Sequence, residues 1–262
     1  MGIMLGGLCR CASADASGES ASKPQYSFRK GESLCYGVKY RMVAHQRPSL
    51  TDEEDVSGRV WLRISEVQHS EGTRIELSAR GGGQIIAGSR QIALQNSSDR
   101  RVLLMVKADG SIASVRDLSG QPTTFLTRGP EMFSAAHILL RYVAGSYVLF
   151  GLQLPAELPG PGGKWIGYYQ RESVMFSSES PKQQSRIERL PVEFTFVGHR
   201  MIERRPSLVF ACTTDFMDLS SVPVTFHFDP VKGQLVKSEM HAKGLGPRKV
   251  DLDMSIVLMQ EQ

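Results

Sequence analysis

Residues 224–242 confine this chain to β architecture more tightly than any other stretch. Val224, Phe226 and Phe228 alternate with Thr225 and His227, so an extended strand here has one apolar and one polar face. Asp229-Pro230-Val231-Lys232-Gly233 follows. Proline presets the φ of a turn, and glycine supplies the permissive φ that closes it. Gln234 to Ala242 then reads as the returning strand. The same grammar recurs along the chain. Leu34, Tyr36, Val38, Tyr40, Met42 and Ala44 share one face, as do Val60, Leu62 and Ile64, and Ile75, Leu77 and Ala79. Val192, Phe194 and Phe196 alternate, Leu208 to Thr213 is a further apolar run, and Val250, Leu252, Met254, Ile256 and Leu258 form the clearest strand of all. Val102 to Val106 is continuously apolar and reads as a strand buried on both faces; Asp109-Gly110 beside it is a strong hairpin signal. Many short strands at this spacing predict a mainly β protein: one large curved antiparallel sheet, half-barrel or barrel-like.

One segment departs from period two. Met132, Phe133, Ala136, Leu139, Leu140 and Val143 recur near helical spacing within Glu131–Val143, which predicts one short helix covering the sheet. Leu154 to Gly163 is rich in proline and glycine and reads as a loop. Gly81-Gly82-Gly83 reads as a flexible hairpin connection, Gly244-Leu245-Gly246-Pro247 as a turn, and Glu53-Glu54-Asp55 as a solvated loop. The expected organisation is an N-terminal apolar and cysteine-bearing segment with a flexible tether at 1–24, then a single antiparallel β domain at 25–262.

The N-terminal tract carries the expectation about location. Met1 to Leu8 is mostly apolar, Cys9-Arg10-Cys11 follows, and Ala12 to Pro24 is small and polar, unable to bury a core. This order suits a bacterial lipoprotein lipidated at Cys9, on the periplasmic side of the cell envelope. It lacks the basic start and longer apolar core of a secretory signal, and Leu8 stands where a small residue is preferred. No apolar stretch is long enough for a transmembrane helix, so any membrane association is peripheral or lipid-anchored. The formal charge of +4 is mild, and neither Arg100-Arg101 nor Arg204-Arg205 extends into a basic run. A solvated face is the expectation there, with no nucleic-acid partner.

Little in the chain reads as chemistry. The six histidines form no His-x-x-x-His or related zinc pattern. His227 and His241 are expected to face each other across the last hairpin as cross-strand polar neighbours. Gly-x-Ser-x-Gly is absent. Asp251 and Asp253 share the outward face of the last strand, about 7 Å apart by strand rise. No catalytic residue, metal ligand or cofactor is assigned; a hydrolase with a triad assembled from distant residues is the remaining catalytic alternative. Cys35 and Cys212 could pair in a disulfide or stand as separate buried thiols, which spacing leaves open.

Several phrases occur in an order that resembles a known group. They are Lys30-Gly31-Glu32 before Tyr36 and Tyr40, Leu158-Pro159 closed by Gly163-Lys164-Trp165, Val192 to Gly198, and Phe228-Asp229-Pro230 with Gly233 to Ser238. Together they look like a family of uncharacterised bacterial extracytoplasmic proteins, often lipoproteins, over about residues 25–260. The resemblance implies a sheet similar to the half-barrels of lipoprotein carriers and lipocalin-like proteins. It brings no catalytic signature, and Lys164 departs from the acidic or small residue usual before the tryptophan. With eleven Phe and eleven Met available, such a sheet can hold an apolar cavity. The expected ligand-binding residues are Tyr36, Tyr40, Phe133, Leu140, Trp165, Phe194 and Phe226. The expected function is non-catalytic binding of a lipid, an acyl chain or a lipoprotein's anchor. The alternative is a structural protein joining an envelope assembly through a protein partner, with no small-molecule ligand.

Overall fold

The computed structural model describes residues 23–47, 50–68, 72–94, 101–117, 134–136, 138–140, 151–175, 184–202, 204–216 and 219–259. Twelve strands lie among them: β1 (Ser33–Arg47), β2 (Leu50–Gln68), β3 (Gly72–Ala87), β4 (Arg90–Ala93), β5 (Val102–Val106), β6 (Ile112–Asp117), β7 (Lys164–Met175), β8 (Gln184–Ile202), β9 (Arg205–Phe216), β10 (Leu219–Asp229), β11 (Gln234–Leu245) and β12 (Val250–Leu258). They form one antiparallel sheet in the order β6-β5-β3-β2-β1-β12-β11-β10-β9-β8-β7, with β4 paired to β3. The sheet is two meanders joined where β1 pairs β12, Tyr40 opposite Met254. The edge strands β6 and β7 do not pair, so the ladder is not closed.

The sheet nevertheless curls strongly. Laid flat, β5 and β10 would stand about 29 Å apart at the usual strand spacing. Tyr26 touches both ends of that span: its N–H donates to the Ala108 carbonyl at 2.8 Å, and its ring packs edge-on against Phe228 at 5.1 Å. The two edges, about 48 Å apart in a flat sheet, come closer still. Leu154 N–H donates to Asp109 O in the β5–β6 turn at 2.8 Å. Its neighbour Gln153 lays its amide along β7, accepting from Tyr168 N–H at 2.7 Å and donating to Tyr168 O. Residues 151–154 therefore act as a strap that ties the two unpaired edges at one end of the curl.

The local alternation of the sequence sets which side faces in. Leu34, Tyr36, Val38 and Tyr40 of β1, Val56, Val60, Leu62 and Ile64 of β2, and Met254 and Ile256 of β12 all belong to one core. A short helix, α1, is described at residues 135–136 and 138–140. Ala135, Ala136, Ile138, Leu139 and Leu140 are all buried. The short helix expected to cover the sheet thus packs its described side chains against the sheet's inner face.

Its seat explains the glycine run. Gly81-Gly82-Gly83 is not a flexible connection; it lies within β3, with Gly58 opposite Gly81 and Val56 opposite Gly83. Gly58, Gly81 and Gly83 share the inner face. A Cβ on Gly58 would stand 2.6 Å from Leu139 Cδ1, and one on Gly81 would stand 2.5 Å from the same atom. The missing side chains make the hollow into which Leu139 fits. Three further readings change. Glu53-Glu54-Asp55 belongs to β2, paired on both sides, because two flanking strands override the weak β propensity of carboxylates. Val102 to Val106 buries only Val102, Leu104 and Val106 fully, with Leu103 and Met105 half-buried on the outer face. Gly244 and Leu245 end β11, and the turn itself spans residues 246–249.

Candidate functional site

The inner face is the one large apolar surface among the described residues, and its chemistry is that of rings and aliphatics. Trp165 stacks on Phe194 at 5.5 Å and meets Phe210 edge-on at 5.6 Å; Phe194 lies 6.3 Å from Phe226, and Phe196 lies 5.5 Å from Phe210. Such ring contacts add to plain area burial. The Trp165 indole N–H donates to the Gln153 carbonyl at 2.9 Å, which locks the strap to this aromatic seam. Tyr36 O–H donates to Leu235 O at 2.9 Å, and burial pushes its phenol far above the ordinary value.

Six of the expected ligand-binding residues are described, and they belong to or pack against one hydrophobic core. Tyr36, Tyr40, Leu140, Phe194 and Phe226 are buried in the core, and Trp165 is half-buried against it. Phe133 lies outside the described residues, as do Cys9 and the rest of residues 1–22. Two inner-face groups escaped sequence reasoning. Ser238 stands between Phe226 and Ile256, and Thr214 stands opposite Val222. Both hydroxyls are buried without a hydrogen-bond partner. A buried unpaired hydroxyl costs about 1–3 kcal/mol. Each interrupts an apolar alternation, which was the available signal.

Cys212 faces in and Cys35 faces out, and neither is in a disulfide. The sheet itself separates them, which decides for two thiols. Burial pushes the Cys212 thiol up to about 12. Because the thiolate is the reactive form, Cys212 should resist a thiol reagent at about pH 8 in the folded protein and react once the chain is unfolded. Mass mapping of the labelled cysteine checks this.

The outer face of β9–β11 carries the polar cluster. His227 and His241 do not face each other: His227 pairs with Lys237, and a register shift follows at Phe228. Glu239 links the two histidines instead, 3.7 Å from His227 Nε2 and 3.6 Å from His241 Nε2. Lys237 bridges Glu239 at 2.8 Å, and Asp253 meets His241 at 3.2 Å. Among the described residues, no group of three or more His, Cys, Asp or Glu side chains is arranged to hold a metal ion. His227 is buried, and desolvation holds its imidazole below the ordinary 6.5, with Glu239 opposing and Lys237 and Arg200 assisting. Desolvation would raise Glu239, but its bonds to Lys237 and His241 hold it below 4.5.

Both shifts have the same sign for stability. A depressed folded value means the unfolded chain takes up the proton first as pH falls. The His227 contribution is whole above pH 6.5 and is lost as pH falls through the folded value; the Glu239 contribution follows below 4.5. The denaturation midpoint should therefore drop between about pH 7 and pH 5, and His227→Gln should flatten that part of the curve. Urea titrations across the range read this directly.

The fold defines an antiparallel β curl with an unpaired seam, a strap across one end, and an apolar inner face against which a short helix packs. No protein-family model matches the chain, and no curated protein does. Among solved structures it is similar to one described as lipid-protein interactions in lipovitellin, with a TM-score of 0.45 and 10% identity. The alignment covers 90% of this chain and 26% of that one, so this chain spans about a quarter of its length.

Proposed function

We propose that this protein is a non-catalytic binder of an apolar chain, a lipid or acyl group, held against the inner wall beside α1. One observation carries the reading. About eight strands enclose an interior that side chains alone can fill, and larger cylinders enclose ligands or other elements. Here eleven strands stand in the ladder, and part of the excess width is taken by α1 on its glycine seat. The unpartnered hydroxyls of Ser238 and Thr214 are polar points for the ligand's head or first carbonyl. The unpaired β6–β7 seam supplies a route by which the curl can open without breaking a ladder.

Native mass spectrometry of the full chain, purified gently from its host, tests the reading, together with titration of an environment-sensitive naphthylamine probe. A bound apolar mass removed by organic solvent, and saturable probe uptake that rises in Leu139→Ala, are the expected results. A clean apo mass with no probe uptake in either protein would overturn it. The compartment belongs to the same proposal: an envelope protein anchored through lipidated Cys9, checked by the mass of the mature N-terminus.

A second reading, a structural protein without ligand, is favoured by the β7 edge. Ile166 and Tyr168 are 54% and 42% exposed there; Gln153 already occupies the edge groups of Tyr168, and β7 is the last strand of the ladder on that side. Such an edge can take a partner's strand. Cross-linking through β7 to one stable partner, with an apo interior, would decide for it.

A further inference from the structure

The outer face of β1–β3 gathers charges that are scattered in the sequence. Lys39, Arg59, Arg63 and Arg80 are all exposed, on the face opposite the core. Arg59 stands directly opposite Arg80, and Lys39 lies one row along, opposite Ser57. Like charges set directly opposite on a sheet repel. Neighbouring cations are neutralised: Arg41 by Glu53 at 2.8 Å, Arg74 by Glu66 at 3.0 Å, and Arg101 by Glu76 at 3.1 Å. Among the described residues, none of the four has an ion pair or side-chain hydrogen bond, and Asp55 is the one exposed acid on this face left equally unengaged.

The ground beside Arg80 is low and open: Gly82 stands opposite Ser57, and a Cβ on it would meet nothing within 4 Å, whereas Gly37, opposite Arg59, has the Met259 side chain over it. Between Arg59 and Arg63 on the same face sits Trp61, half-buried and outside the core cluster, flanked by Cys35 and Ser78. A tryptophan body among arginines is the composition that sits at the headgroup level of a bilayer. Nucleic acid would call for a groove with a series of stacking rings, and this face is convex with a single indole.

We infer that this outer patch docks the protein onto an anionic lipid surface, with Lys39, Arg59, Arg63 and Arg80 meeting headgroup phosphates and Trp61 entering the interfacial layer. The geometry needs nothing from the interior, so docking stands or falls apart from the cargo reading. A membrane-facing convex side would leave the strap and the unpaired seam free of the bilayer.

The test uses the full chain and vesicles of phosphatidylcholine alone, or of two parts phosphatidylcholine to one part phosphatidylglycerol. Co-sedimentation should favour the anionic vesicles and weaken as salt rises. Arg59→Gln with Arg80→Gln should lower that partitioning about tenfold or more, since each basic residue near such a surface counts for several-fold. The double variant removes a repulsive pair, so its denaturation midpoint should equal or exceed the parent's. Lys243→Gln with Arg248→Gln, a matched charge change at exposed positions near the end of β11 and on the β11–β12 turn, should partition like the parent. In Trp165→Phe, Trp61 is the one remaining tryptophan, and its emission should shift to the blue on anionic vesicles. Equal losses in both double variants, no preference for anionic vesicles, or an unshifted Trp61 would overturn the inference. Tight binding of a single-stranded oligonucleotide that alone depends on Arg59 and Arg80 would overturn it in favour of nucleic acid.

Discussion

Phe226→Ala should destabilise the protein by about 3–5 kcal/mol, read as a drop in the urea midpoint at constant slope. Phe226 is 0% exposed. Its strand neighbours on the inner face are Phe210 and Ser238, and Phe194 lies 6.3 Å away. Each belongs to a ladder strand hydrogen-bonded on both sides, so the wall cannot collapse into the space left by the ring. The cavity penalty therefore adds in full to the lost transfer free energy. Such a cavity is apolar, apart from the Ser238 hydroxyl beside it. An apolar probe should bind the variant at least as well as the parent, which separates loss of stability from loss of binding.

Three adjacent glycines give the second large effect, and they should not behave alike. Gly81→Ala and Gly83→Ala should each cost about 2–3 kcal/mol, while Gly82→Ala should be neutral or stabilise by about 0.5 kcal/mol. On Gly81 the new methyl would lie 2.5 Å from Leu139 Cδ1 and 2.5 Å from Ser57 O. On Gly83 it would press on the Asp55 carbonyl and lie 2.9 Å from Val56 Cα. Backbone in a paired strand cannot step aside. On Gly82 it would point outward into open space, and the alanine would lose less entropy on folding. Combining Gly81→Ala with Leu139→Ala should recover only the part of the loss due to the helix; the rest belongs to the Ser57 contact. Full additivity of Gly81→Ala and Leu139→Ala would mean that α1 does not sit on this wall.

The glycine run shows why the site was only partly legible. Composition alone makes three glycines a flexible connection, because their conformational freedom is a local property. Their role here is steric absence, which has meaning only once Leu139, some sixty residues away, is placed against them. The acidic run in β2 misleads in the same way, because pairing by β1 and β3 supplies an extended conformation that its own propensity would not. The aromatic residues were easier. Tyr36, Phe194 and Phe226 alternate with polar neighbours, so their burial could be read from period two. Ser238 and Thr214 offered only an interruption of that alternation, since a hydroxyl on an inner face looks the same in sequence as one on an outer face.

The sequence by itself determined the cores of most strands and the face each buries, but not β4, β7 or the full lengths of β2 and β3. Alternation and turn chemistry act over a few residues, as in Val250 to Leu258 or Asp229 to Gly233. Only the tertiary structure decided which strands pair, that β1 meets β12, and that residues 151–154 tie the two edges. It also turned a mild net charge of +4 into a concentrated patch, by setting Arg59 against Arg80 and Lys39 beside them. Pairing between strands distant in sequence depends on the closure of long loops and the total apolar area buried. Both are properties of the whole chain, and no local window contains them.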